Sequence, residues 1–497
     1  MKLIIIIIIL VVCYYYIGLY FFEQSSLSSI TTNFTSHVTK TVTDKTAIDK
    51  PEMKKIISSL YSEYLLILGN MYYQDDSLWV IVMSSTELDG YRYFKKTMII
   101  DDIIIYQYKI KIDNESKNIQ IGYKTIIIPN IKPQLNNTSL YFVSCDGQNT
   151  KKYNFSNPIK VYNVIDDTDM WKKLYMDIKA DTNFHKYVIH LGDQVYMDDA
   201  HDELIKNNTS NDTYTVRRTY YDVYNLNYNN KYKKKVLRNA YNVMIRDDHE
   251  TISNYKTIPN NLTQIMLDNV NDMYKIFQED LYGVEKHNIK HLVFKDFQII
   301  IPDLRKYRQP ITDNITKYPI MSETQMTEFD DIVKNTQSEI KRTYYVSTIP
   351  LVGVDKKLDK LISIISGNTN VNIDDYISSN NYLTERVFII NKLFELDNVV
   401  VIGGDYHYAE YYTFVKNGKT IKQITTSPIS SDPLILQSSW YKKAIGWILI
   451  NLFYDITIDN ITINKEWFIF DYNYLKATNK NALLCCYNED NSKSIAL

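Results

Sequence analysis

The sequence predicts an α/β chain: a layered α/β domain behind a β-rich region and an apolar N-terminal segment. Two observations carry the α/β part. Short apolar runs recur from Ser139 onward, and each ends in a turn bearing an acid. Amphipathic helical patterns fall between them, the alternation of a layered α/β domain. A third observation sets the preceding region apart, since its short strands and polar turns carry no chemical motif.

Leu3–Phe22 is an unbroken apolar and aromatic run of 20 residues, with Lys2 before it and the next basic residue at Lys40. That length spans a hydrocarbon core. It lacks a small-residue cleavage site, so residues 1–24 read as an uncleaved signal-anchor rather than a removed signal peptide, the alternative being secretion after cleavage. The charge asymmetry sends the rest of the chain to the extracytoplasmic side, luminal or extracellular. Residues 25–50, rich in Ser and Thr, read as a solvated tether. The β-rich region is assigned 51–135 and the α/β domain with its C-terminal extension 136–497.

Composition removes several functions. The 497 residues carry 56 Lys and Arg against 58 Asp and Glu, and no basic stripe marks a nucleic-acid surface. Four cysteines, two of them the adjacent Cys485 and Cys486, make no disulfide framework. N-x-S/T sites such as Asn33, Asn136, Asn154, Asn208, Asn261 and Asn314 suit a secreted glycoprotein, although a chain rich in Asn generates them by chance.

In the β-rich region, Leu78–Met83, Thr97–Ile105 (interrupted at Asp101–Asp102) and Tyr106–Ile112 alternate as strands of a small sandwich-like domain. Ser139–Val143 then leads into Ser144-Cys145-Asp146-Gly147. Asp169–Ala180 places Met170, Trp171, Leu174, Tyr175 and Ile178 on one helical face. The strand through Val188, Ile189 and Leu191 ends in Gly192-Asp193, with Tyr196 three residues on. Glycine lets the backbone turn sharply there, setting a carboxylate at the C-terminal edge of a sheet, where α/β proteins bind ligands. Asn242–Ile245 leads to Asp247-Asp248-His249-Glu250, and Phe297–Ile301 to Asp303-Leu304-Arg305. An amphipathic helix at Tyr382–Leu396 precedes Val399–Ile402, which ends in Gly403-Gly404-Asp405-Tyr406-His407. After Leu434 the fold is not legible. The apolar run Ala444–Phe453 is too short to span a membrane.

Brought to one edge, these strand ends supply Cys145 or Asp146, Asp193, Tyr196, Asp248, His249, Asp405 and His407. Carboxylates, a phenol, an imidazole and a thiol suit a transition metal beside a harder, oxygen-preferring cation. Two cations about 3.5–4 Å apart need a shared ligand, which Asp193 can be, and such a pair binds a phosphate ester and activates water. His249, directly after a ligand-type Asp, is placed to protonate a leaving group.

The ordered set SCDG, GDQVY, DDHE, DLRKYR and GDYHYAE resembles the alkaline phosphatase D (PhoD-like) family of the calcineurin-like metallophosphatases over Leu140–Pro433. Gln325 and the Thr425–Ser430 segment TTSPIS match more softly. The resemblance implies a four-layer αββα metallophosphatase domain, often behind a β-rich one. It implies phosphomonoesterase or phosphodiesterase activity at a dinuclear site, with iron and calcium favoured or another divalent pair such as manganese or zinc. It puts Cys145 at the first ligand position, Asp193 at the bridge and Tyr196 at a tyrosinate position. Asp248 takes the superfamily's Asn, His249 its catalytic histidine, and Asp405 and His407 its paired histidines. Arg305 matches D-x-R and would hold a phosphoryl oxygen. Asp146 stands beside Cys145 as an alternative first ligand, and neither His287 nor His291 sits in a matching context.

Each piece has a plainer reading. Gly-Asp after a strand is usually a turn, DDHE could be a solvated helix start, Cys145 a small buried hydrophobe, and Arg305 a loop brace paired with Asp303. Asp198 and Asp199 read as a solvated loop, with support of the site from behind its ligands as the lesser reading, and His185, His190, His201, His287 and His291 as surface or core residues. Five motifs in order make coincidence a poor account. The favoured function is a membrane-anchored metal-dependent phosphoesterase. The alternative is a binding or scaffold protein that kept the fold and lost catalysis, against which stands the retention of every ligand position.

Overall fold

The computed structural model describes residues 65–497 apart from 75–76, 102, 113–116, 122–123, 129–137, 148–169, 184, 257–260, 284–287, 311–317, 353–381, 431–455, 459, 470–471, 479–481, 489–490 and 497. Leu3–Phe22, the tether and Ala444–Phe453 lie outside these. Among the described residues, no helix is long and apolar enough to cross a membrane.

The first four strands, β1 (Leu66–Gln74), β2 (Ser77–Ser84), β3 (Lys95–Ile100) and β4 (Ile103–Ile112), form one antiparallel sheet in the order β1-β2-β4-β3. Here the boundary differs from the pattern read in sequence. Asp101, at a φ of 43°, turns a hairpin between β3 and β4, so the acidic break ends one strand and Ile103–Ile112 run on as another. A short hairpin, β5 (Lys117–Ile121) with β6 (Lys124–Ile128), follows.

The chain then alternates: β7 (Thr138–Val143), α1 (Met170–Ala180), β8 (His185–His190), α2 (Asp198–Lys206), α3 (Thr213–Tyr228), α4 (Lys233–Asn239) and β9 (Tyr241–Met244). It continues through α5 (Gln264–Phe277), β10 (Ile289–Val293), β11 (Phe297–Pro302), α6 (Ser322–Lys334), β12 (Arg342–Ser347), α7 (Leu383–Leu393) and β13 (Val399–Gly403). Seven strands close it: β14 (Ala409–Lys416), β15 (Lys419–Thr425), β16 (Ile456–Ile458), β17 (Ile461–Ile469), β18 (Tyr472–Ala477), β19 (Ala482–Asn488) and β20 (Asn491–Ala496). The sequence beyond Leu434, unreadable as pattern, supplies strands to both large sheets.

Those sheets have the orders β10-β11-β12-β13-β15-β14-β17-β16 and β20-β19-β18-β7-β8-β9. β7, β8 and β9 run parallel, as do β11, β12, β13 and β15, so their C-terminal ends gather on common edges. Being covered on both faces, these strands are apolar without alternation. Phe142, Ile189 and Val243 of one sheet meet Ile299, Val346 and Ile402 of the other in a shared core. Outside the larger sheet, Phe329 of α6 and Ile389 and Leu393 of α7 pack on Tyr345 and Val401. Outside the smaller, Trp171, Leu174 and Ile178 of α1 and Val236 of α4 pack on Tyr141 and Val188. The layers read helix, sheet, sheet, helix. The four-stranded sheet gives Leu68, Val80 and Tyr108 to the central core and Ile67, Ile81 and Met83 to the helices α3 and α5.

His190 and His201 are fully buried, and burial, foremost in each case, pushes both imidazoles down to about 4. A base whose folded value lies below its unfolded one binds protons preferentially in the unfolded chain. Stability from that source is therefore present above the unfolded value near 6.5 and is lost as pH falls toward 4. For His201, whose ring nitrogens have no hydrogen-bond partner among the described residues, the loss is on the order of 3 kcal/mol. We expect wild type to lose stability against His201→Phe between pH 6.5 and 4 in denaturant titrations; a constant difference would show that His201 does not titrate there.

Candidate active site

The acids at the strand ends converge. Cys145, Asp193 and His407 offer ligand atoms within 4.8 Å of one another, as do Asp193, Asp248 and His249, and as do Asp193, Asp247, Asp248 and Asp405. Asp193 belongs to all three groups. Cys145, Asp193, Asp405 and His407 all hold left-handed backbone, with φ of 57°, 56°, 67° and 54°. Such conformations cost energy in residues with a Cβ and concentrate at functional sites.

Two glycines make the approach possible. Gly192 has a φ of 107°, and a Cβ there would lie 2.3 Å from Asp247 Cβ, so the β8 and β9 turns touch only because it is glycine. At Gly404 a Cβ would lie 2.5 Å from Ser144 Oγ. The turns are also stitched by main chain: Cys145 N–H donates to Gly192 O (3.3 Å) and Asp146 N–H to Asp193 O (2.8 Å).

Cys145, not Asp146, faces the cluster. Its sulfur lies 3.5 Å from Asp193 Oδ2, accepts from Ser427 Oγ at 2.9 Å and sits 3.1 Å from Ser144 Oγ. Burial, then Asp193 and Asp405, pushes its thiol well up. Asp146 is committed elsewhere, to Lys233 Nζ (2.6 Å), Trp171 Nε1 (3.1 Å) and Asn227 Nδ2 (3.2 Å), with Ser430 as a further partner. Lys233, itself fully buried, neutralises it. Ser427 also accepts His407 N–H at 3.1 Å, so the TTSPIS segment seats both a thiol and an imidazole. Tyr196 Oη donates to Asp193 Oδ2 at 3.4 Å and lies 3.0 Å from His407 Nε2.

His249 stacks on Tyr196 with ring centroids 4.1 Å apart, and its Nδ1 lies 2.5 Å from Asp198 Oδ2. Burial alone would depress this imidazole, but Asp198, Asp248 and Asp193 outweigh it and raise its pKa well above the ordinary value. Asp198, for which the sequence favours a solvated loop over support of the site, begins α2 and orients the ring. Helical geometry gives no warning of a partner 51 positions away.

Glu250 is a residue whose part the sequence does not reveal. Its buried carboxylate accepts the amides of Asp193 (3.0 Å), Gln194 (2.6 Å) and Asp247 (2.8 Å), pinning the β8 and β9 turns together. Glu250→Ala would orphan three buried amides and should cost roughly 3 kcal/mol or more in chemical denaturation; a loss under about 1 kcal/mol would mean the turns hold without it.

Arg305 is fully buried, with Nε on Asp247 Oδ1 and Nη2 3.7 Å from Asp248 Oδ1. It braces the DDHE turn rather than standing open to solvent. Asp303 accepts the Arg305 amide at 3.0 Å and pairs with Arg246 at 3.3 Å. His291 bonds Gln298 at 2.9 Å, and His185, His190 and His201 are core residues; His287 lies outside the described residues.

The donor set fits cations. Burial raises the Asp193 carboxyl well above the carboxylate range; His249 pulls it back, while Asp248, Asp247 and Glu250 add to the rise. Asp248 Oδ1 is buried and accepts no hydrogen bond among the described residues. Negative charge gathered out of water beyond what Arg305 and the local donors match is what a bound cation relieves.

A solved structure of PhoD superposes with a TM-score of 0.53 at 13% identity, covering 87% of this chain and 88% of that one. The chain has the PhoD fold. Further resemblance is to a purple acid phosphatase isolated from yellow lupin (Lupinus luteus) seeds, at a TM-score of 0.47 and 9% identity, over 87% of this chain and 74% of that one. A dimetal phosphatase from Danio rerio follows at 0.38 and 9%, over 73% of this chain and 99% of that one. No family model matches the sequence, and no curated protein matches it. At 13% identity the PhoD likeness is one of architecture.

Proposed function

We propose that this protein is a metal-dependent phosphoesterase with a dinuclear centre bridged by Asp193. The observation that carries the reading is that Asp193 is common to two donor groups, one with Cys145 and His407 and one with Asp247, Asp248 and Asp405. Cys145 and His407, with Tyr196 beside them, would suit iron, and Asp248, Asp405 and Asp247 would suit calcium or another hard divalent ion. A metal pair there would polarise the phosphoryl group and supply a nucleophilic water near neutral pH.

The chain's own part is positional and protic. Asp198 holds His249 Nδ1, so Nε2 is the free ring nitrogen and is the atom that delivers a proton to the departing ester oxygen. Tyr196 keeps the ring flat against the site by stacking. Glu250 and Arg305 fix the two acid-bearing turns, so little reorganisation accompanies reaction. Arg305 acts through Asp247 and Asp248 in this geometry, and a direct phosphoryl contact would need it to leave them.

The N-terminal apolar run is assigned to a signal-anchor, with the folded unit extracytoplasmic and glycosylated. Assay of paired generic monoester and diester substrates tests the reading: turnover of either supports it and sets the ester class. Metal binding without turnover of both would favour the scaffold alternative.

A further inference from the structure

A cavity of about 990 Å³ lies between β1, β10 and α6, and none of its lining residues belongs to the acid cluster. Phe294 and Lys295 line one end of it, in the β10–β11 turn, at the opposite end of β11 from Asp303 and Arg305. Its volume is that of pockets for small ligands, at the larger end of the range of about 300–1,000 Å³.

Four aromatic rings line it: Tyr72, Tyr187, Tyr282 and Phe294. They are braced, Tyr187 meeting Phe294 edge-on at 5.4 Å and Phe294 stacking on Phe297 at 4.3 Å. In the same wall, Asn70 is 1% exposed. Its Nδ2 donates to Tyr282 O at 3.2 Å, and its Oδ1 accepts no hydrogen bond among the described residues. A buried amide oxygen without a donor is unfavourable unless a ligand supplies one.

Strand addition does not suit the site, although β10 is an edge strand. The Tyr282 hydroxyl already takes both the N–H (2.8 Å) and the C=O (2.9 Å) of His291. The Glu328 carboxylate takes the amides of Asn288 (3.0 Å) and Ile289 (3.4 Å). The lining also carries the polar side chains of Gln74, Lys109, Lys295, Asp331 and Asn335; beside them, the aromatic walls and the unmatched Asn70 acceptor call for a flat ring carrying N–H donors.

We propose that this cavity is a second ligand site for a planar, hydrogen-donating heterocycle of the nucleoside type, separate from the acid cluster. Asn70 Oδ1 accepts from a ring N–H or amino group while the aromatic walls hold the ring. Val293 lines the cavity and is 53% exposed, so Val293→Trp fills it without disturbing the core.

The test is calorimetric titration of the purified full chain with adenosine, guanosine, cytidine and uridine. Saturable binding of at least one nucleoside is expected, weakened about tenfold or more in Val293→Trp and in Asn70→Ala. Phosphate-ester turnover by Val293→Trp should equal wild type, which separates this site from the catalytic one. Absence of binding by all four, binding unchanged in Val293→Trp, or displacement of the nucleoside by inorganic phosphate would each overturn the proposal. Binding lost in Val293→Trp but kept in Asn70→Ala would overturn the role of the amide oxygen.

Discussion

Asp193→Asn is expected to abolish metal retention and hydrolysis together, lowering turnover by about 10³-fold or more, at least about 4 kcal/mol of barrier. Asp193 is shared by all three donor groups, whereas Cys145, His407 and Asp405 each belong to one. An amide keeps the size and the hydrogen bond from the His249 amide (3.3 Å), yet it brings no charge and only one good acceptor to hold two cations. The fold should survive, because Asp193's own amide stays anchored on Glu250. Elemental analysis beside a kinetic assay reads both effects. A variant that retained metal and turned over normally would remove Asp193 from the bridge.

The second large effect concerns His249. Its replacement by alanine should lower turnover by about 10²–10⁴-fold while metal content stays at the wild-type level, the signature of a proton donor rather than a ligand. Loss of metal instead would make His249 a ligand. Asp198→Asn gives the finer reading. It keeps the ring's neighbour but weakens the charge that holds the proton, so turnover should fall by about tenfold to a hundredfold. The alkaline limb of the pH profile should also move to lower pH, because Asp198 is the leading contribution holding the imidazole's pKa up. A merely structural Asp198 would change turnover without moving that limb.

What the sequence disclosed follows from where each interaction lies along the chain. The strand ends were legible because a strand covered on both faces writes itself as an apolar run, and the acid or glycine that ends it stands out. Gly192 and Gly404 were visible as punctuation, and their close contacts with Asp247 and Ser144 give that punctuation its physical cause. The choice between Cys145 and Asp146 was not legible, because it depends on Lys233, 87 positions later. Glu250 escaped notice because it serves backbone amides, which have no sequence signature. Asp198 reads as solvated before it reads as support for the site for a similar reason, as its partner is a ring on another turn. The C-terminal strands were hidden because β18 pairs with β7 more than 300 residues away, and only that pairing gives them a core face.

The catalytic roles assigned to these residues depend on a cation pair sharing Asp193. Its most direct measurement is metal content per chain of the purified full-length protein, taken together with ester turnover before chelation, after chelation and after add-back of iron, calcium, manganese or zinc. Two metal ions per chain are predicted, with turnover lost on chelation and restored by metal. Turnover that persists in metal-free protein, or full activity with a single bound ion, would contradict it.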